Sequence, residues 1–226
     1  PEQWTDEIGR IVSSFSDKFG FAPDSYRSHC VIFPGWDHAP RVAAGAGLRL
    51  DTNFVPGYRF STGYLNGSAL PVRFVGADGE VLDCYEQSTV HTEDGCRGVK
   101  CLLPPLAEDD CIALSLSLID DLVHRFHGVY HPYFHPISLS GRGSVSCSRW
   151  FSEVLQAIDQ RGLPSVSSSE WIAFNDARRA LSFEDITWDP PTLDITLSAQ
   201  AVQLTEITVT AAAERGSVSA ALDEQP

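Results

Sequence analysis

Two histidines, each followed by a proline, lie four positions apart in the segment GVYHPYFHPIS, residues 128–138. Proline ends strands and biases the preceding residue towards extended backbone. The segment is therefore predicted to be a strand that stops at a rim, with His131 and His135 on one face because strand side chains alternate. An imidazole at such a rim can transfer protons, and a stiff surface loop that carries two histidines is the alternative.

Further polar residues lie at the ends of two earlier predicted strands, namely Arg27 and Asp51. If these strands are parallel neighbours of the later one, Asp51 and His135 converge at one face. A carboxylate that accepts from an imidazole N–H fixes the tautomer and makes the other nitrogen more basic. Such a pair is typical of a general acid or of a metal ligand with its orienting partner, and a structural aspartate with a surface histidine is the alternative.

The elements that must position these residues alternate between helix and strand. Apolar residues at helical spacing predict amphipathic helices, whose starts carry Ser or Thr caps or acidic residues and whose ends carry glycine. Short apolar runs between them predict buried strands. The predicted helices are residues 5–19, 38–47, 109–126, 147–162 and 168–181, and the predicted strands are residues 25–33, 47–54, 128–134 and 163–168.

Two β segments interrupt or follow this alternation. Residues 71–89 carry two alternating runs around Asp78-Gly79, a strong hairpin signal. Beyond residue 181 the chain alternates with period two around Pro190-Pro191, which is typical of a β-hairpin. The chain is therefore predicted to divide into an α/β domain, residues 1–181, and a β-rich appendage, residues 182–226, with a frayed tail.

Composition limits the possible partners. The 226 residues carry a formal net charge of −14, which argues against a nucleic-acid partner or an anionic membrane surface, since both require clustered cations. No apolar run approaches the roughly 20 residues that span a bilayer. The six cysteines favour disulfides, with CRGVKC, residues 96–101, as a small closed loop; buried free thiols at Cys30 and Cys147 are the alternative.

Four segments together resemble the C-terminal two-thirds of a polysaccharide deacetylase (NodB-homology) domain over residues 5–181. They are RSHCVIFPGWDHAPRVAAGAGLRLDTNF, STGYLNGSALPVRFVGADGEVLDCYEQST, GVYHPYFHP and RWFSEVLQAIDQRGLPSVSSSEW. The resemblance implies an incomplete or distorted (β/α) barrel with the β-hairpin as an insertion and a C-terminal β segment. It also implies a secreted or cell-surface protein that removes acetyl groups from a polysaccharide or oligosaccharide with one divalent metal, usually zinc.

The resemblance implies roles for individual residues. Arg27 matches the arginine that orients the catalytic aspartate, and Asp51 matches the aspartate that tunes the catalytic histidine. His135 matches the histidine that protonates the leaving amine or alcohol. His131 has no counterpart in the family and is a candidate sugar contact beside Tyr133.

The chain departs from the family at the metal site. The family's Asp-Asp pair on the first strand and its following His-x-x-x-His helix do not occur in this sequence, so no metal ligand is assigned. The chain also has no methionine, and we expect it to be a fragment of a longer enzyme. A domain that has lost catalysis and keeps a carbohydrate-binding cleft is the alternative.

Two further functions follow from the residues themselves. A non-catalytic sugar-binding domain would stack pyranose rings on aromatic residues such as Trp36, Tyr58, Tyr64 and Tyr133. A glycoside hydrolase would use paired carboxylates, with Asp51 and Glu86 as candidates. A Ser-His-Asp esterase is disfavoured because the chain has no G-x-S-x-G elbow.

Overall fold

A computed structural model describes residues 2–56, 69–93, 106–140, 147–189, 192–199 and 217–223. The chain divides into two compact units, Pro1–Ser168 and Ser169–Pro226. The division falls at the start of the last helix, whereas the change in composition predicts it after residue 181. None of the described helices combines the length and the apolar character that a membrane crossing requires.

The helices of the first unit largely follow the predicted pattern. Gly20 ends the first helix with a φ of +78°, a conformation that glycine adopts without strain. The helix after residue 107 continues into a π-helical turn, Leu122–Phe126. The helices are α1 (Glu2–Phe19), α2 (His38–Gly45), α3 (Glu108–Asp121), α4 (Pro136–Leu139) and α5 (Ser148–Gln160).

In the described part of the first unit, six short strands form two sheets. They are β1 (Ser25–Tyr26), β2 (Leu50–Asp51), β3 (Val72–Val75), β4 (Val81–Glu86), β5 (His91–Thr92) and β6 (Pro132–Tyr133). The first sheet has the order β1-β2-β4-β3, in which β1, β2 and β4 run parallel and β3 pairs antiparallel with β4. Strands β5 and β6 form a separate parallel pair.

This arrangement confirms a mixed α/β chain and the predicted hairpin. Strands β3 and β4 flank the turn at Asp78 and Gly79, where the Gly79 N–H donates to the Gly76 carbonyl over 2.9 Å. Among the described strands, none of the sheets closes into a barrel. The barrel of the deacetylase type therefore stays a prediction.

All four strands predicted between the helices differ from the structure, and the one predicted over residues 128–134 is reduced to β6. The strand predicted over residues 25–33 ends at Tyr26, because a 3₁₀ turn, His29–Val31, follows with positive φ at Cys30 and Val31. The strand predicted over residues 47–54 is reduced to β2. Residues 163–168 do not form the predicted buried strand, and Val166 is exposed.

Aromatic and aliphatic side chains beneath β5 form the main core of the first unit. Trp150 on α5 is 1% exposed and donates its Nε1–H to Ser115 Oγ on α3 over 2.8 Å. Its ring stacks on His91 of β5, with 5.5 Å between the ring centroids. Packing of α3 and α5 thus supports the strand pair β5–β6.

Helix α6 (Ser168–Ala180) starts one residue before the second unit and leads directly into β7 (Leu181–Asp189). Strand β7 pairs antiparallel with β8 (Thr192–Ala199), as the alternating pattern predicts. Strand β9 (Ser217–Asp223) pairs parallel with β8. The prediction of a frayed tail is therefore wrong for residues 217–223, because the backbone groups of β8 provide a second edge for pairing.

Candidate active site

His135 lies just after β6, at the rim that the two His-Pro pairs predict. Pro136 is the first residue of α4 and lacks an N–H to continue a strand ladder, so the strand ends behind His135. The Nδ1 atom of His135 lies 2.6 Å from Glu93 Oε1, and the His135 backbone N–H donates to the same oxygen over 2.6 Å. Glu93 thus holds both the main chain and the ring of His135.

Burial differs sharply between the two members of this pair. The Glu93 side chain is fully buried, whereas 39% of the His135 side chain is exposed. Ser138 Oγ donates to the same Glu93 oxygen over 3.4 Å. A shielded carboxylate that accepts from Nδ1 selects the tautomer whose Nε2 faces outwards, and it stabilises the imidazolium when that forms. The geometry suits a histidine that exchanges protons with a ligand.

Tyr133 and Arg27 complete this side of the site. The Tyr133 hydroxyl lies 2.8 Å from His135 Nε2. The Arg27 guanidinium lies over the Tyr133 ring, 4.3 Å from its centroid, and its Nη2 donates to Thr89 Oγ1. Burial lowers the pKa of Arg27, while Tyr133 and Glu86 favour its charged form. Arg27 therefore links the edge of the first sheet with the pair β5–β6.

Asp51 belongs to a second polar cluster, centred on the parallel strands β1, β2 and β4. It accepts from the Tyr26 hydroxyl and, over 2.7 Å, from the Asn53 backbone N–H. Its carboxyl group is also hydrogen-bonded to that of Glu86, which is 1% exposed. The hypothesis of an Asp51–His135 pair therefore gives way to two separate pairs, since the carboxylate that contacts His135 belongs to Glu93.

A shared proton explains the contact between the two buried carboxyl groups. Burial, followed by the charge of Asp51 and the hydrogen bond between them, raises the pKa of Glu86. Burial also raises the pKa of Asp51, against which the hydrogen bonds from Tyr26 and Asn53 act. The raised pKa of Glu86 favours its protonated form, which can donate a hydrogen bond to Asp51. Such direct contact is closer than the ~5–9.5 Å separation that glycoside hydrolases require, which disfavours that function.

His131 differs from His135 although both lie on the same segment. Burial, and secondly the charge of Arg27, lowers the pKa of His131 to about 4. Its Nδ1 is buried and has no hydrogen-bond partner within the described part of the chain. His131 is therefore a half-buried, neutral histidine behind the rim, and its role as a sugar contact stays a prediction.

The remaining predicted substrate contacts lie elsewhere. Trp36 is 74% exposed, and its Nε1–H donates to the Val75 carbonyl of the hairpin over 3.1 Å. It therefore lies beside β3 rather than beside His135. Tyr64, like Tyr58, falls within residues 57–68, outside the described residues.

No candidate site for a divalent metal is found among the described residues. Within these ranges, no group of three or more His, Cys, Asp or Glu side chains is arranged to hold an ion.

Cys30 is an exposed free thiol, and Cys84 and Cys147 are buried free thiols. The disulfide prediction therefore fails at these three positions, whereas Cys96 and Cys101 of the CRGVKC segment lie outside the described residues.

Sequence reasoning missed Glu93, the residue on which the His135 geometry depends. Glu93 directly follows β5, so it stands at a strand end like Asp51 and His135. It becomes a neighbour of His135 because β5 pairs parallel with β6, with Thr92 opposite Tyr133. A two-residue strand in the sequence STVHTED carries too little pattern to reveal this pairing.

Comparison with protein-family models, with curated proteins and with solved structures finds no match to this chain.

Proposed function

We propose that this protein is a carbohydrate deacetylase-like hydrolase in which His135, held by Glu93, protonates the leaving amine or alcohol. The observation that carries the proposal is the contact between an exposed imidazole and a buried carboxylate, with 2.6 Å between His135 Nδ1 and Glu93 Oε1. General acid catalysis needs an imidazole that a substrate can reach and a partner that stabilises its charged form. Both conditions are met by this pair.

Cleavage of an acetyl group requires two proton transfers. A water molecule loses a proton as it attacks the acetyl carbonyl, and the departing nitrogen or oxygen gains one as its bond to carbon breaks. His135 serves the second transfer, because its ring is open to ligand on one side and fixed by Glu93 on the other. The resemblance implies a divalent metal for the attacking water. No step is assigned to a metal here, since the described residues do not form such a site.

A carbohydrate-binding domain without catalysis is a second candidate function. The observation that favours it is Trp36, a residue that is 74% exposed and whose Nε1–H donates to the Val75 carbonyl. A fixed, exposed indole ring can stack on a pyranose face. This function would not require the contact between His135 and Glu93.

Acetate release separates the two functions. Acetylated oligosaccharides with N-acetyl and O-acetyl groups are incubated with the wild type, with His135→Gln and with Trp36→Ala, and acetate and sugar binding are measured together. We expect the wild type to release acetate and His135→Gln to lose about 100-fold in rate with binding retained. Binding without acetate release, abolished in Trp36→Ala, would replace the proposed hydrolase with the binding domain.

A further inference from the structure

The nitrogen that His135 presents to the outside is already engaged by Tyr133. With Nδ1 directed at Glu93, Nε2 is the ring atom left for proton transfer, and the Tyr133 hydroxyl lies 2.8 Å from it. The two rings are tilted at 70° with centroids 4.9 Å apart, so the phenol lies edge-on beside the imidazole. A substrate must therefore either displace the phenol or receive its proton through it.

The Tyr133 ring is held in this place by a second contact. The Arg27 guanidinium lies 4.3 Å from its centroid, and Arg27 is itself anchored by its hydrogen bond to Thr89. A cation over the ring favours negative charge on the phenol oxygen. A substrate that displaced Tyr133 would break its contact with Arg27. A proton relay through the Tyr133 hydroxyl would keep that contact.

We propose that Tyr133 is the catalytic residue that meets the substrate, as the outer member of a relay Glu93–His135–Tyr133; this inference rests on the proposed deacetylase function. In the relay, the Tyr133 O–H bond breaks as its proton passes to the leaving nitrogen or oxygen. The phenol oxygen takes the proton of His135 Nε2 in the same step. Tyr133 ends as a phenol and His135 as a neutral imidazole, with its Nδ1–H still donated to Glu93. One proton has moved from the imidazolium to the leaving group, and no other reactant is needed.

The hydrogen bond itself can be tested without a substrate. Diethyl pyrocarbonate modifies neutral imidazoles at a nitrogen lone pair, and mass spectrometry of the peptides reports the rate at His135 in the wild type and in Tyr133→Phe. We expect the rate at His135 to rise at least about threefold in Tyr133→Phe, because Nε2 loses its partner. The exposed His127 serves as the internal reference, and Tyr130→Phe, a tyrosine change in the same segment, should leave the rate at His135 unchanged. Equal rates at His135 in the wild type and Tyr133→Phe would overturn the proposal.

Acetate release then tests the relay. We expect Tyr133→Phe to lower kcat by about 100-fold, as His135→Gln does, with KM unchanged, and the double variant to be no slower than either single variant. Full or increased activity in Tyr133→Phe would mean that the phenol only covers His135. The relay would then be wrong, and the proposed deacetylase function would be unaffected. If the wild type releases no acetate, the proposed function fails and the relay as a catalytic step fails with it, and the modification rates still report the hydrogen bond.

Discussion

Three histidines in the first unit show how the local environment decides what an imidazole can do. His91 lies under Trp150 and His131 lies behind Arg27, and burial lowers the pKa of each to about 4. His135 is the one of these three with a carboxylate partner, and its ring is partly exposed. A neutral imidazole donates one hydrogen bond and accepts one, whereas the His135 pair can also hold and release a proton.

Removal of the carboxylate charge from Glu93 tests this view. In Glu93→Gln the side chain keeps its size, and its amide oxygen can still accept from His135 Nδ1, but it no longer stabilises an imidazolium. We expect kcat for acetate release to fall by about 10- to 100-fold with little change in KM. Steady-state kinetics of the wild type and the variant checks this. Arg149→Gln, a change at a surface ion pair, is the control, and equal rates in Glu93→Gln would show that Glu93 is only structural.

The buried Asp51–Glu86 pair predicts a dependence of stability on pH. A free glutamate ionises at about pH 4.3, and the pKa of Glu86 is raised in the folded protein. The stability that its proton provides is therefore complete below the pKa of the unfolded chain and is lost as the pH rises towards the folded value. Glu86→Gln keeps a donor for Asp51 and cannot ionise. We expect its free energy of unfolding to decrease less than that of the wild type between about pH 5 and about pH 8, by up to ~1.4 kcal/mol per pH unit.

Urea unfolding of both proteins at several pH values provides the measurement. Glu153→Gln changes an exposed glutamate on α5 and serves as the control, since it should leave the pH dependence as in the wild type. Parallel curves for the wild type and Glu86→Gln would contradict a shared proton in the Asp51–Glu86 pair.

For single residues, the sequence predicts which ones belong to the site better than it predicts which ones contact each other. Asp51, Arg27 and His135 stand at strand ends, where polar residues interrupt apolar runs, and all three belong to the polar clusters of the site. Their partners depend on which strands pair. Glu93 is 42 residues from His135 along the chain, and only the β5–β6 pairing brings the two together.

At the scale of elements, the β3–β4 hairpin shows where a glycine is required. Gly79 has a φ of +85°, and a Cβ at this position would meet nothing within 4 Å. The cost of Gly79→Ala is therefore backbone strain alone, and we expect a loss of about 1–2 kcal/mol in the free energy of unfolding. Chemical denaturation measures it.

Gly9 offers a matched control in helix α1. It is exposed and has no positive φ, and a Cβ added to it would likewise meet nothing within 4 Å. Gly9→Ala should therefore stabilise the protein by about 0.5–1 kcal/mol through helix propensity. The same sign for both substitutions would contradict the assignment of the turn.

Helices were predicted more accurately than strands for a physical reason. The helices α1, α3 and α5 carry their apolar stripe over more than three turns, so the pattern is long enough to recognise. The strands β1, β2, β5 and β6 are two residues long, and their pairing depends on distant segments. Residues 25–33 are predicted as one strand because of their apolar end, but the strand stops at Tyr26 and a 3₁₀ turn with positive φ at Cys30 and Val31 follows.

For the whole molecule, the dominant physical property is the net charge of −14. Like charges repel in the compact state, and salt screens this repulsion over a Debye length of about 10 Å at 0.1 M. Surface ion pairs such as Arg41–Glu80 offset this repulsion only weakly. We expect the urea midpoint to rise when NaCl increases from about 20 mM to about 200 mM. A fall in the midpoint would show that the ion pairs outweigh the net repulsion.

The most direct test of the account is a double-mutant cycle on acetate release that compares two pairings of His135. His135→Gln is combined with Glu93→Gln in one cycle and with Asp51→Asn in the other, and kcat/KM is measured for acetylated oligosaccharides. We expect the first double variant to be no slower than His135→Gln alone, because His135 and Glu93 act as one unit, and the effects of the second pair to be additive. Additive losses for His135 with Glu93, or coupling of His135 with Asp51 instead, would contradict it.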